Sequence, residues 1–187
     1  MIKPIPLDSK RGWVKALIDI NARIRGPSTR LFFSNSYLLD ITCSLLNDFS
    51  ISFYVLGGYK EHTFEIYITQ LPDSIQALNE YDSSVLYSQG YATGLLDNKG
   101  KIRLSSLHDS KHWIELTSSR LYPLENINNS FYTPVTKGHI YTIRKDPPLY
   151  KWRLYKLQSI VHIYEDLPLQ NTSFIDSLYH LVSQLDY

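Results

Sequence analysis

The chain has 187 residues, with 19 basic and 18 acidic side chains and a net charge of +1. That length suits a single domain burying about 70% of its unfolded surface, so no disulfide or metal staple is needed. The near-neutral balance argues against a strong non-specific nucleic-acid binder, although a local basic face is compatible with it.

Asp8 is positioned to cap a first helix running to about Arg25, with Trp13, Leu17, Ile20 and Ile24 at helical spacing and Gly26-Pro27 as the stop. Three strands are then expected at Arg30–Ser34, Tyr37–Leu46 and Ile51–Leu56. Gly57-Gly58 turns the chain into Thr63–Gln70, where Phe64, Ile66 and Ile68 alternate with Glu65, Tyr67 and Thr69; this pair is the clearest hairpin signal. Pro72-Asp73 opens a short middle helix to about Tyr81.

Asp97-Asn98-Lys99-Gly100 reads as a turn joining strands Val85–Leu96 and Lys101–Leu107. Trp113–Leu121 reads as a strand ended by Pro123, and Asn126–Ser130 as a loop. Two long strands follow, Phe131–Arg144 and Tyr150–Tyr164, separated by Asp146-Pro147-Pro148. Thr172 or Ser173 caps a closing helix whose buried stripe is Phe174, Leu178, Leu181 and Leu185. The fold class is therefore α+β over 1–187, one domain of mostly antiparallel hairpin-built sheet with an N-terminal, a short middle and a C-terminal helix.

The single Cys43 excludes an intramolecular disulfide and a cysteine-based zinc site. No stretch approaches the roughly 20 apolar residues of a membrane span, and Met1–Pro6 has no secretory core. The expected location is cytoplasmic. Tyrosine, at 15 residues against 7 Phe and 3 Trp, suits half-buried strands and interfaces.

Phosphate-cradling glycine motifs and a Gly-x-Ser-x-Gly elbow are missing, so no cofactor is expected. The segment Ser105-Ser106-Leu107-His108-Asp109-Ser110-Lys111-His112 is the most enzyme-like cluster. It lies between expected strands and lacks the His-Glu-x-x-His pattern, so it reads as a polar loop, with neither a catalytic nor a metal site expected. Lys137-Gly138-His139-Ile140-Tyr141 echoes an RNA-recognition strand, but the order of elements around it is wrong for that fold.

Three Arg-Leu-x-x-Leu runs begin at Arg103, Arg120 and Arg153. On a strand, residues two apart share a face, which sets Arg120 beside Tyr122 and Arg153 beside Tyr155. Such pairs grip phosphate, stack on bases or anchor protein interfaces. Arg120, Arg153, Lys151, Lys156, Lys137 and Arg144 are the candidate RNA-binding residues. Tyr122, Tyr155, Trp152 and Tyr141 are the candidate protein-interface residues.

Gly94–Leu104, Ser118-Ser119-Arg120-Leu121 and the Arg144-to-Leu157 strand pair together resemble the small accessory subunit of type III-D CRISPR effector complexes. The resemblance implies a non-catalytic subunit of an RNA-guided antiviral complex, with neighbouring protein subunits and guide or target RNA as partners. The alternative is a small nucleotide- or RNA-processing enzyme using His108, Asp109 and His112.

Overall fold

The computed structural model describes residues 4–21, 23–25, 28–33, 36–57, 64–69, 85–104, 111–131 and 137–184. Along these the chain runs α1 (Leu7–Asn21), β1 (Arg23–Arg25), β2 (Ser28–Phe33), α2 (Ser36–Asp48), β3 (Phe53–Gly57) and β4 (Phe64–Ile68). It continues α3 (Val85–Lys99), β5 (Lys101–Leu104), β6 (His112–Ser118), α4 (Tyr122–Ser130), β7 (His139–Arg144) and β8 (Leu149–Leu154). Two helices follow, α5 (Leu157–Asp166) and α6 (Thr172–Ser183).

The strands form two four-stranded antiparallel sheets, β1-β2-β4-β3 and β5-β6-β8-β7. The second order is the first with every number raised by four. Each half thus repeats helix, two strands, helix, two strands. The α+β class with hairpin-built antiparallel sheets and helices first and last is as expected. The proposed middle helix at 72–81 lies outside the described residues.

The repeat is written in the two central helices. Gly12-x-x-x-Ala16-Leu17-Ile18-Asp19 on α1 matches Gly90-x-x-x-Gly94-Leu95-Leu96-Asp97 on α3. A Cβ at Gly12 would strike the Tyr87 carbonyl, and one at Gly90 would strike the Ser9 carbonyl. The two backbones touch where only glycine leaves room. Across this seam Trp13 Nε1 donates to Asp97 Oδ2 at 2.9 Å, and the Tyr91 hydroxyl donates to Asp19 Oδ2 at 2.9 Å. These are the same bond made twice, with the halves exchanged.

Each sheet buries one face against helices. Leu31, Phe33, Ile66 and Ile68 pack on Trp13, Leu17 and the α2 side chains Leu38, Leu39, Leu45 and Leu46. Ile114, Leu116, Trp152 and Leu154 pack on Tyr91, Leu95 and Leu96 of α3 and on α4, α5 and α6. The other face of each sheet carries polar and aromatic side chains.

Four expected elements are corrected. Tyr37–Leu46 is helix, not strand: Leu38, Leu39, Thr42, Leu45 and Leu46 are its buried side. Val85–Leu96 is likewise helix, and Asp97–Lys99 is its last turn rather than a hairpin turn. From Tyr87 to Asp97 every residue except Gln89 is buried. A helix enclosed on all sides has no polar stripe, so it displays no helical period. Asn126–Ser130 belongs to α4, which Pro123 starts and which buries Leu124 and Ile127. The strand expected over Tyr150–Tyr164 stops at Leu154, and the β-branched run Ile160-Val161 lies in α5.

Boundaries also move. α1 ends at Asn21, and Arg23–Arg25 instead pair with Ser28–Arg30. Asn171 caps α6, its side-chain oxygen accepting from Phe174 N at 3.2 Å, in place of Thr172 or Ser173. Among the described residues no helix is long and apolar enough to cross a membrane.

Candidate nucleic-acid interface

Strand alternation builds the site. On β6, Ile114 and Leu116 point into the core, which turns Trp113, Glu115 and Thr117 to the opposite face. Register carries that face across the sheet. Lys101, Glu115, Arg153 and His139 lie in one row, and Thr117, Lys151 and Tyr141 in the next. Arg103 stands opposite Trp113. Three cations, Arg103, Lys151 and Arg153, therefore surround one carboxylate, with Lys101 opposite it on β5.

Glu115 is only 4% exposed although it faces outward, because its neighbours cover it. Arg153 Nε donates to its Oε2 at 2.9 Å, Lys151 Nζ approaches Oε1 at 3.2 Å, and Arg103 Nε lies 3.7 Å from Oε1. Burial by itself pushes the Glu115 carboxyl up, but hydrogen bonds from Lys151 and Arg153 outweigh it and hold the pKa below its ordinary value. The carboxylate stays ionised and spends one charge of the cluster, leaving a net positive face.

Aromatic rings frame these cations. The Arg153 guanidinium lies 5.3 Å from the Trp113 ring centroid and 5.6 Å from that of Tyr141. Tyr155 continues the frame, 5.9 Å from Trp113 and 6.3 Å from His139, with its hydroxyl 3.4 Å from that of Tyr141.

The first sheet differs. Its outward face carries Arg30, Phe32, Glu65, Tyr67, Tyr54 and Leu56. Arg30 pairs with Glu65 at 3.3 Å and lies 5.3 Å over Tyr67, which stacks on Tyr54 at 4.7 Å. Among the side chains described on it, aromatic rings surround the Arg30–Glu65 ion pair.

The expected site residues divide. Arg153, Lys151, Tyr141 and Tyr155 come together on the second sheet. Trp152 does not join them: it is fully buried, donating from Nε1 to Asn128 Oδ1 at 2.7 Å, and its ring offers no partner surface. Arg120 and Tyr122 are neighbours, but not on a strand. Arg120 Nη1 donates to the Asp19 carbonyl at 3.2 Å, and the Tyr122 hydroxyl donates to Asp19 Oδ1 at 3.2 Å, so both brace the end of α1. Lys156 is exposed at the start of α5, and Lys137 is exposed beside Gly138. Arg144 ends β7 and donates to the Pro147 carbonyl at 2.9 Å. His112 opens β6 opposite Leu104, while His108 and Asp109 lie outside the described residues. Sequence reasoning missed Glu115 and Lys101, although Trp113-Ile114-Glu115-Leu116 alternates plainly enough to have placed Glu115.

The central-helix carboxylates are fully engaged. Asp97 Oδ1 accepts the backbone N–H groups of Gln170 and Asn171, each at 2.9 Å, and its Oδ2 accepts from Trp13. Asp19 Oδ1 meets Lys15 Nζ at 2.8 Å as well as Tyr122, and its Oδ2 serves Tyr91. The helices end on Asn21 and Lys99.

No protein-family model matches the chain, and no curated protein matches it by sequence. Solved structures do match. The N-terminal LAGLIDADG domain of DUF199/WhiA superposes with a TM-score of 0.68 at 12% identity, over 94% of this chain and 89% of that one. Full-length DUF199/WhiA from Thermatoga maritima gives 0.71 at 10% identity, with 98% of this chain covering 62% of that protein. I-DmoI in complex with DNA and Ca gives 0.65 at 11% identity, over 93% and 98%. At such identities the fold is what is shared.

These neighbours correct two expectations. Their fold is that of WhiA and of the homing endonuclease I-DmoI, so neither a non-catalytic accessory subunit of a CRISPR complex nor assignment outside the enzymes stands. The comparisons do not bear on the type III-D resemblance itself. I-DmoI structures with DNA hold Mn or Ca; in this chain the carboxylates near the ends of the two central helices are already engaged. Among the described residues no three His, Cys, Asp or Glu gather, and Asp19 and Asp97 have both oxygens committed. Read as residue letters, LAGLIDADG sets Gly94, Leu95, Asp97 and Gly100 on identical residues. Its second Asp falls on Lys99, and on Asn21 in α1. An ammonium has no lone pair to offer a metal.

Proposed function

We propose that this chain binds double-stranded DNA across the outward face of β5-β6-β8-β7. The observation that carries this is the gathering of Arg103, Lys151 and Arg153 around Glu115, with Lys101 opposite it in register, in a chain whose net charge is only +1. Phosphate contacts supply most of the affinity for nucleic acid, and they need such a local excess of cations. The fold supports the reading, because neighbours at TM-scores above 0.6 were solved on DNA.

Groove geometry favours DNA over RNA. A B-form major groove is about 12 Å wide and admits a two-stranded ribbon, and adjacent strands lie about 4.8 Å apart. The β7–β8 hairpin carries His139, Tyr141, Lys151 and Arg153 on one face and suits that groove. An A-form major groove is too deep and narrow for side chains to read, which disfavours the guide or target RNA considered from the sequence.

Titration of labelled duplexes at several salt concentrations tests the proposal. Duplex DNA should bind more tightly than duplex RNA of the same sequence. Three to four phosphate contacts predict a log–log salt slope of about −3 to −4. Combining Arg103→Ala with Lys151→Ala should weaken binding to all sequences alike and make the slope shallower by about 2. No duplex binding at about 50 mM salt and protein up to about 100 µM would overturn the reading. Adding Mg2+ or Mn2+ to the same samples shows whether strand cleavage accompanies binding.

A further inference from the structure

The four cations of the basic face are not equivalent. Lys101 and Arg103 are exposed, on the edge strand β5. Lys151 meets Glu115 through one flexible ammonium. Arg153 is held on several sides. Glu115 fixes its Nε, Trp113 and Tyr141 lie within 5.6 Å of its guanidinium, and Nη1 reaches the Tyr155 hydroxyl only at 3.5 Å. Among the described residues Nη2 has no hydrogen-bond partner. A planar fork bonded at Nε and braced at one N–H of Nη1, with its second Nη1 N–H and Nη2 left to a ligand, has lost most of its rotamer freedom before any ligand arrives.

Resting on the DNA-binding reading above, we propose that Arg153 reads a guanine base, while Lys101, Arg103 and Lys151 grip phosphate. Guanine presents O6 and N7 as two acceptors in the major groove, and the arginine fork is the side chain that matches both. Point-charge lysines fit phosphate instead and carry no sequence information. Arg30 on the first sheet is framed by Tyr67 and Glu65, but its carboxylate contact uses the terminal Nη1. Its fork is occupied, so no base is assigned to it.

Selection of bound duplexes from a random library, with wild-type protein and Arg153→Lys, tests this. The wild type should enrich guanine at one or more positions, and Arg153→Lys should lose that enrichment at one of them while keeping its salt slope within about one unit. Replacing that guanine by 7-deazaguanine, which lacks the N7 acceptor, should weaken wild-type binding about tenfold and leave Arg153→Lys unaffected. The deaza measurement stands even if the variant folds poorly. Duplex binding without guanine enrichment, enrichment that survives in the variant, or indifference to 7-deazaguanine would overturn the assignment while leaving DNA binding intact. Failure of the wild type to bind any duplex would instead remove the underlying reading.

Discussion

Replacing Asp97 with alanine is expected to destabilise the fold by about 4 kcal/mol at neutral pH, a large fraction of the roughly 5–15 kcal/mol that holds a typical domain together. The side chain accepts from Trp13 Nε1 and from the backbone N–H groups of Gln170 and Asn171. It thereby ties α1, α3 and the start of α6 at one point. Alanine leaves three donors without an acceptor, and each buried one costs about 1–3 kcal/mol. Urea unfolding measures the loss, and a change below about 1 kcal/mol would show that the network relaxes or admits water.

The same residue gives a pH signature. Burial pushes the Asp97 carboxyl up to about 6 from the ordinary 3.8, although Trp13, Asn171 and Gln170 pull it back down. Its folded pKa exceeds its unfolded one, so between these values the folded chain binds the extra proton. This group's contribution to stability is greatest below about pH 4 and falls as pH rises to about 6, by roughly 3 kcal/mol in total. Asp97→Asn does not titrate. Wild type measured against this variant should therefore lose about 2 kcal/mol of relative stability between pH 4 and pH 7. A difference independent of pH would mean that the three donors keep the carboxylate ionised throughout.

The second large effect is expected at the central seam. In Gly90→Ala the added Cβ overlaps the carbonyl carbon and oxygen of Ser9, which belong to the facing backbone rather than to a side chain that turns away. Relief requires α1 and α3 to separate, which breaks the Trp13–Asp97 and Tyr91–Asp19 bonds together. A cost of about 3 kcal/mol is expected, or roughly 10 °C in melting temperature for a chain of this length. Gly57 lies on β3 with nothing within 4 Å of its would-be Cβ, so Gly57→Ala is the control and should change stability by less than about 0.5 kcal/mol. Equal melting temperatures for the two variants would contradict the close approach.

The two sheets share a topology but not a chemistry. Arg30 meets Glu65 one to one on the first sheet, whereas Glu115 answers to Arg103, Lys151 and Arg153 on the second. The internal repeat therefore supplies one scaffold twice, and on the second sheet a carboxylate ringed by cations. The salt slope and the guanine preference both test that second face.

Residue order alone was enough to determine the elements that lie half in water. Phe174, Leu178 and Leu181 on α6 and the alternation of Phe64, Ile66 and Ile68 on β4 show their period because one side of each element is polar. The same alternation placed Arg153 beside Tyr155 and Lys151 on one face. Tertiary structure alone decided the rest. α3 is enclosed on every side and carries no period, α4 looked like an asparagine loop until Leu124 and Ile127 were buried, and Trp152 took the inner side of its strand. The seam at Gly12 and Gly90, the exchanged bonds of Asp19 and Asp97, and the cation cluster on Glu115 join residues from 12 to 84 positions apart. Their energies depend on distances that exist only after the sheets pair and the two central helices close, which a period read along the chain does not contain.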